Sequence, residues 1–107
     1  MTDAVLVLTT LPDEGAAAAL AKRIVEERLA ACANVFPALR SIYRWQGRIE
    51  DQGEVLVLFK ARREGFERLR SRIVALHPYQ VPEVLAVPVE QGHAPYLEWL
   101  ANETVTS

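Results

Sequence analysis

In Ser41-Ile42-Tyr43-Arg44-Trp45-Gln46-Gly47-Arg48-Ile49-Glu50 an alternating run with two aromatics meets a glycine. Ahead of Gly47 the side chains alternate. Arg40, Ile42 and Arg44 take one face of an extended chain, and Ser41, Tyr43 and Trp45 take the other. Gln46-Gly47 then suits a two-residue turn, because the turns that match strand twist need positive φ, which glycine adopts freely. The pattern predicts a hairpin with arms over 34–45 and 48–61, and with Pro37 and Gly53 as bulges or edge irregularities. Arms of about a dozen residues at roughly 3.3 Å each make a ribbon about 40 Å long. A domain this small cannot cover such a ribbon. Left uncovered, it is marginally stable and its edges invite pairing, so another copy of the same chain is the expected partner.

The chain has 107 residues, 50% of them hydrophobic, one cysteine and a formal net charge of -2. Its mean hydropathy is +0.05 and its pI about 5.7. These values predict one soluble domain over 1–107 with a core of its own. No apolar run reaches the roughly 20 residues that a membrane-spanning helix needs, and no basic segment, apolar stretch and cleavage site open the chain, so a cytoplasmic location is expected. One cysteine excludes an intrachain disulfide. The charge balance offers no general attraction to nucleic acid or to an anionic membrane. Arg62, Arg63, Arg68, Arg70 and Arg72 cluster, but Glu64 and Glu67 are interleaved, which reads as a solvated helix face rather than an anion site. No nucleophile elbow, phosphate-binding glycine loop or zinc-protease helix occurs, so an enzyme is not expected.

Outward from the hairpin, Ala4 to Thr10 is a short β-branched apolar run that reads as a central strand. Pro12-Asp13-Glu14 punctuates it and caps a helix. Ala17, Leu20, Ala21, Ile24, Val25 and Leu29 carry that helix to about Ala31. Phe66, Leu69, Ile73 and Leu76 define a second helix over 64–77, stopped by Pro78. Residues 81–89 read as another strand, 94–101 as a short helix and 102–107 as a loose tail. The order is βαββαβ plus a small helix. Right-handed crossovers then put both long helices on one side of an antiparallel sheet, giving an α+β, ferredoxin-like fold with an extended hairpin. Residues 4–8 and 84–87 are apolar on both faces, yet helices can cover only one. The other face needs a neighbour, which predicts a closed homo-oligomer.

Leu29-Ala30-Ala31-Cys32-Ala33-Asn34, the 41–50 block, Lys60, His77-Pro78-Tyr79-Gln80-Val81-Pro82-Glu83 and Tyr96-Leu97-Glu98-Trp99-Leu100 together resemble the CutA divalent-cation tolerance family across nearly the whole chain. The resemblance implies a ferredoxin-like subunit, a homotrimer built through the hairpins, a role in the response to metal ions and copper or another divalent cation as ligand. It also implies an architecture similar to PII signalling trimers. Where copper ligands have been proposed in that family, this chain reads Thr9, Leu76 and His77. The soft donors here are Cys32, His77 and His93, with no paired spacing, so His77 and Cys32 are the metal candidates. Cys32 also reads as a small buried hydrophobe, and His77 as a helix-end group bonding terminal carbonyls.

Glu50, Asp51 and Glu54 could serve a hard cation, but their spacing does not put all three on one strand face. Glu83, entering an apolar strand between Pro82 and Val84, needs a partner, for which Lys60 and Arg44 are available. Tyr43, Trp45, Glu50, Lys60, Tyr79 and Glu83 are the residues expected around a ligand cleft between subunits, with interface anchoring as the plainer role of the aromatics.

Overall fold

A computed structural model describes residues 1–105 of the chain. Strand β1 spans Ala4–Leu11, helix α1 Glu14–Glu26, strand β2 Cys32–Trp45 and strand β3 Arg48–Arg62. A single 3-10 turn over Arg63–Gly65 leads into helix α2, Phe66–Leu76; strand β4 (Leu85–Pro88) and helix α3 (Ala94–Asn102) complete the order. The four strands form one antiparallel sheet in the order β2-β3-β1-β4. This is the ferredoxin-like arrangement that the sequence predicts.

Each element has a local cause. Asp13 caps α1 by accepting from the Ala16 amide at 2.8 Å, and Glu14 follows at the positive end of the dipole. Alternation in β1 and β3 sends Val5, Val7, Leu11, Val55, Val57, Phe59 and Ala61 to one side, where Ala17, Leu20, Ile24, Leu69 and Ile73 from the two helices seal a buried core. Thr9 lies in the same layer, wholly buried, and its hydroxyl has no hydrogen-bond partner among the described residues. Arg72 bridges the two helices, donating to both Glu27 oxygens at 2.8 and 2.9 Å and holding that carboxyl below its ordinary value. Much of the arginine cluster is paired in the same way: Arg62 with Asp3 and Glu64, and Arg70 with Glu67.

The sheet's other face is different. Register places Val87, Leu6, Lys60 and Cys32 in one row, and Leu85, Leu8, Leu58 and Asn34 in the next, followed by Thr10, Leu56 and Phe36. Leu85 is 58% exposed, Val87 47% and Phe36 44%. Helix α3 approaches one end of this face, with Tyr96 beneath the Lys60 ammonium at 5.8 Å, and the segment after α2 meets the other end at Thr10 and Glu54.

The hairpin closes through Gln46 and Gly47 at φ 50° and 78°, both in the left-handed region that a primed turn requires. The molecule measures 44 Å along its long axis and 22 to 25 Å across. Pro37 sits in a bulge: pairing passes from Phe36 opposite Leu56 to Leu39 opposite Glu54, so β2 carries one extra residue, with Ala38 at φ 62°. Gly53 pairs regularly with Arg40 and makes no bulge of its own.

Several boundaries differ from expectation. α1 ends at Glu26 rather than near Ala31, because Arg28 turns left-handed at φ 60° and the amides of Arg28 and Leu29 bond back to Val25 and Ile24. β4 occupies only 85–88 of the expected 81–89, since Pro82 has no N–H and ladder pairing with β1 covers just Val5 to Leu8. The tail is tied down as far as it is described: the Thr104 hydroxyl donates to the Leu100 and Ala101 carbonyls, and the Val105 amide to Arg28 at 2.8 Å. Thr106 and Ser107 lie outside the described residues.

Candidate functional site

The extra residue in β2 decides what the hairpin presents. Before the bulge, even-numbered Asn34 and Phe36 share the open face with Leu58 and Leu56; after it, Ser41, Tyr43 and Trp45 pair with Gln52, Glu50 and Arg48 and take over that face. Ile42 and Arg44 are sent to the opposite side. The bulge therefore turns both aromatics toward the same side as Thr10 and Glu54.

Beneath them lies a cleft of about 900 Å³. Ser41, Tyr43 and Trp45 form its hairpin wall, Thr10 and Glu54 its sheet floor, and Tyr79, Val81 and Glu83 the segment that closes it from below. That segment is held by His77, which is nearly buried at 9% exposure. Its Nε2 lies 2.9 Å from the Thr10 carbonyl, and the Tyr79 amide donates to Nδ1 at 3.1 Å. Since Nδ1 accepts, Nε2 carries the proton and donates, and the ring is neutral. Burial is the leading cause that lowers its pKa, against the bond to Thr10 and the nearby Glu54 charge, which raise it.

The Tyr79 ring lies 4.9 Å from the His77 ring, and its hydroxyl donates to Glu54 at 2.6 Å. Burial first, and then the bond to Glu54, push the Tyr79 pKa upward, so the phenol stays protonated at neutral pH. Glu83 is also pushed up, by burial of its carboxyl and then by the Glu54 charge. Among the described residues neither Glu54 nor Glu83 has an ion-pair partner in this chain.

The cleft thus unites Tyr43, Trp45, Tyr79 and Glu83 of the expected set. Glu50 is on the same strand face, opposite Tyr43, but outside the lining. Lys60 is six residues along β3 from Glu54, roughly 20 Å away, with its charge over Tyr96. Neither Lys60 nor Arg44 reaches Glu83 within one chain. Asp51 faces away and is held by Arg40 at 2.7 and 2.8 Å. Glu54 is the site residue that sequence reasoning weighed only as a cation ligand. Counting by twos along β3 from Leu58 and Leu56 would have placed it on the open face.

The two metal candidates stand apart. Cys32, half-buried, pairs with Lys60 at one end of the open face, while His77 bonds Thr10, whose strand position is four residues from the Leu6 that faces Lys60, roughly 13 Å along β1. Both His77 nitrogens are occupied. Among the described residues no three His, Cys, Asp or Glu side chains are grouped to hold an ion, and no helix is long and apolar enough to cross a membrane.

Comparison with known proteins assigns the family. A model of the CutA1 divalent ion tolerance protein family matches residues 5–103. The divalent-cation tolerance protein CutA of Thermus thermophilus is 50% identical over 92% of this chain and 96% of its own length. Protein CutA of Homo sapiens is 45% identical over 89% of this chain, which spans only 53% of that longer relative. The crystal structure of CutA from Xylella fastidiosa superimposes with a TM-score of 0.94 at 39% identity, covering 97% of this chain and all of that one. The chain belongs to the CutA1 divalent ion tolerance family.

Proposed function

We propose that this chain acts in the response to divalent cations as a homotrimer whose neighbours cover one another's open sheet faces. The observation that carries this reading is the row of Leu85, Leu8 and Leu58, flanked by Val87, Leu6, Leu56 and Phe36, in which Leu85, Val87 and Phe36 stand exposed. Full burial of such side chains is worth about 1.5–3 kcal/mol each. Leaving the face half wet forfeits on the order of 5 kcal/mol, as much as the whole stability of a marginal domain. The 14 residues of β2 form a sheet edge as well, and edge strands of that length are normally paired. Three copies close a ring with no edge left over, which open association would not do.

In this reading copper or another soft ion is bound weakly, because the soft donors of one chain do not converge; Cys32 is the thiol placed on the face where another copy would lie. A Leu58→Asp variant tests the assembly: it should leave a trimer-sized species for a smaller one while the core, on the other face, keeps its secondary structure. An unchanged trimer in that variant would contradict this route of assembly. A second reading is favoured by the cleft: a PII-like sensor of a small ligand, held under the hairpin and walled by the neighbour.

A further inference from the structure

We infer that the cleft beneath the hairpin binds a small organic cation, a quaternary or substituted ammonium, between the Tyr43, Trp45 and Tyr79 rings and the Glu54 and Glu83 carboxylates. The inference rests on the assembled state above, because a neighbour seated on the open face supplies the outer wall of an otherwise open cavity.

Two carboxylates stand in one cavity, and in a chain carrying 12 lysines and arginines neither has a cation against it among the described residues, although Asp3, Glu27, Asp51, Glu64, Glu67 and Glu103 all do. Tyr79 donates to one Glu54 oxygen and leaves the other free. Glu83 accepts no hydrogen bond from any described residue. An anion would be repelled. A neutral ligand would bury these carboxylates without compensation, which is costly. A hard metal ion wants six or more oxygens, and among the described residues no three carboxylate, imidazole or thiol side chains are grouped here to anchor one.

Three aromatic side chains beside two acids match a cation that carries its own apolar substituents. Ring faces attract such a charge, and more strongly when water is excluded. The volume of about 900 Å³ admits a ligand well beyond a bare ion. The register-shifting bulge at Pro37 and Ala38 is what places Tyr43 and Trp45 opposite the acids, so the geometry is built into the strand.

The test uses the whole chain in its assembled state, with choline as probe and 3,3-dimethylbutan-1-ol, its uncharged isostere, as control, followed by amide chemical shifts. Choline should shift the amides around Tyr43, Glu54 and Tyr79, with the isostere binding at least roughly tenfold more weakly, as one lost charge contact of about 1.4 kcal/mol demands. Glu83→Gln and Trp45→Leu should each weaken choline while the particle mass stays that of wild type. Equal affinity for the isostere, or no choline binding by an intact assembly, would overturn the inference and would fit a neighbour's basic side chain filling the cleft instead. A monomeric particle would remove the assembly reading and this inference with it.

Discussion

The Tyr79 hydroxyl donates to the Glu54 carboxylate at 2.6 Å, tying the segment after α2 to the base of the hairpin across 25 residues of chain. Tyr79→Phe removes the bond and leaves an acid that water can still reach, so the expected cost is about 1–2 kcal/mol, read as a lower denaturation midpoint at unchanged denaturant slope.

Glu83 moves stability in the other direction. Its carboxyl is raised above 4.5, by burial first and then by Glu54, so the folded chain holds that proton more tightly than the unfolded one. Its contribution to stability is complete below pH 4.5 and is lost as pH rises through the raised value. Glu83 is exposed in the single chain, so that loss is small: at pH 7 Glu83→Gln should be at least as stable as wild type by chemical denaturation, and a less stable variant would show that the carboxylate is paired.

His77 gives the opposite slope. Its folded pKa lies below 6.5, with burial as the main cause, so the unfolded chain takes up the proton first. Stability is flat above pH 6.5 and falls as pH drops toward the lowered value. Protonating Nδ1 also expels the Tyr79 amide that it accepts. The stability difference between wild type and His77→Gln, from denaturation midpoints between pH 7.5 and 5, should narrow as pH falls, because only wild type carries the His-linked loss.

Thr9 is wholly buried, with a hydroxyl that no described residue hydrogen-bonds. Thr9→Val keeps the β-branched shape and removes the orphan group, so thermal unfolding should show a gain of about 1 kcal/mol.

Arg28 holds two jobs that conflict. It occupies the left-handed cap of α1 at φ 60°, where glycine is easier by about 1 kcal/mol. Its guanidinium also donates to the Asn102 carbonyl at 2.8 Å, beside Glu103. Arg28→Gly should change global stability by less than about 1 kcal/mol yet speed amide exchange in α3, which loses its tether.

Much of this fold is legible in the chain because its signals are local. Asp13 reads as a cap, Gln46-Gly47 as a primed turn, and the apolar rows of β1 as a two-faced strand, each from neighbours within a few residues. What escaped depends on pairing partners. Pro37 marks an irregularity, but that the extra residue turns Tyr43 and Trp45 onto the face of Glu54 follows only from the register with β3. The end of α1 escaped because an arginine, held by distant carbonyls, stands where a glycine would have announced it. In the site, Tyr79 and Glu83 are visible as a polar interruption before an apolar strand, whereas the separation of Lys60 and Cys32 from the cleft is a matter of distance along the sheet.

If sister chains cover the open sheet face, sedimentation equilibrium at micromolar concentration will show one species of about three times 12.0 kDa. A well-folded, soluble particle of 12.0 kDa would contradict it.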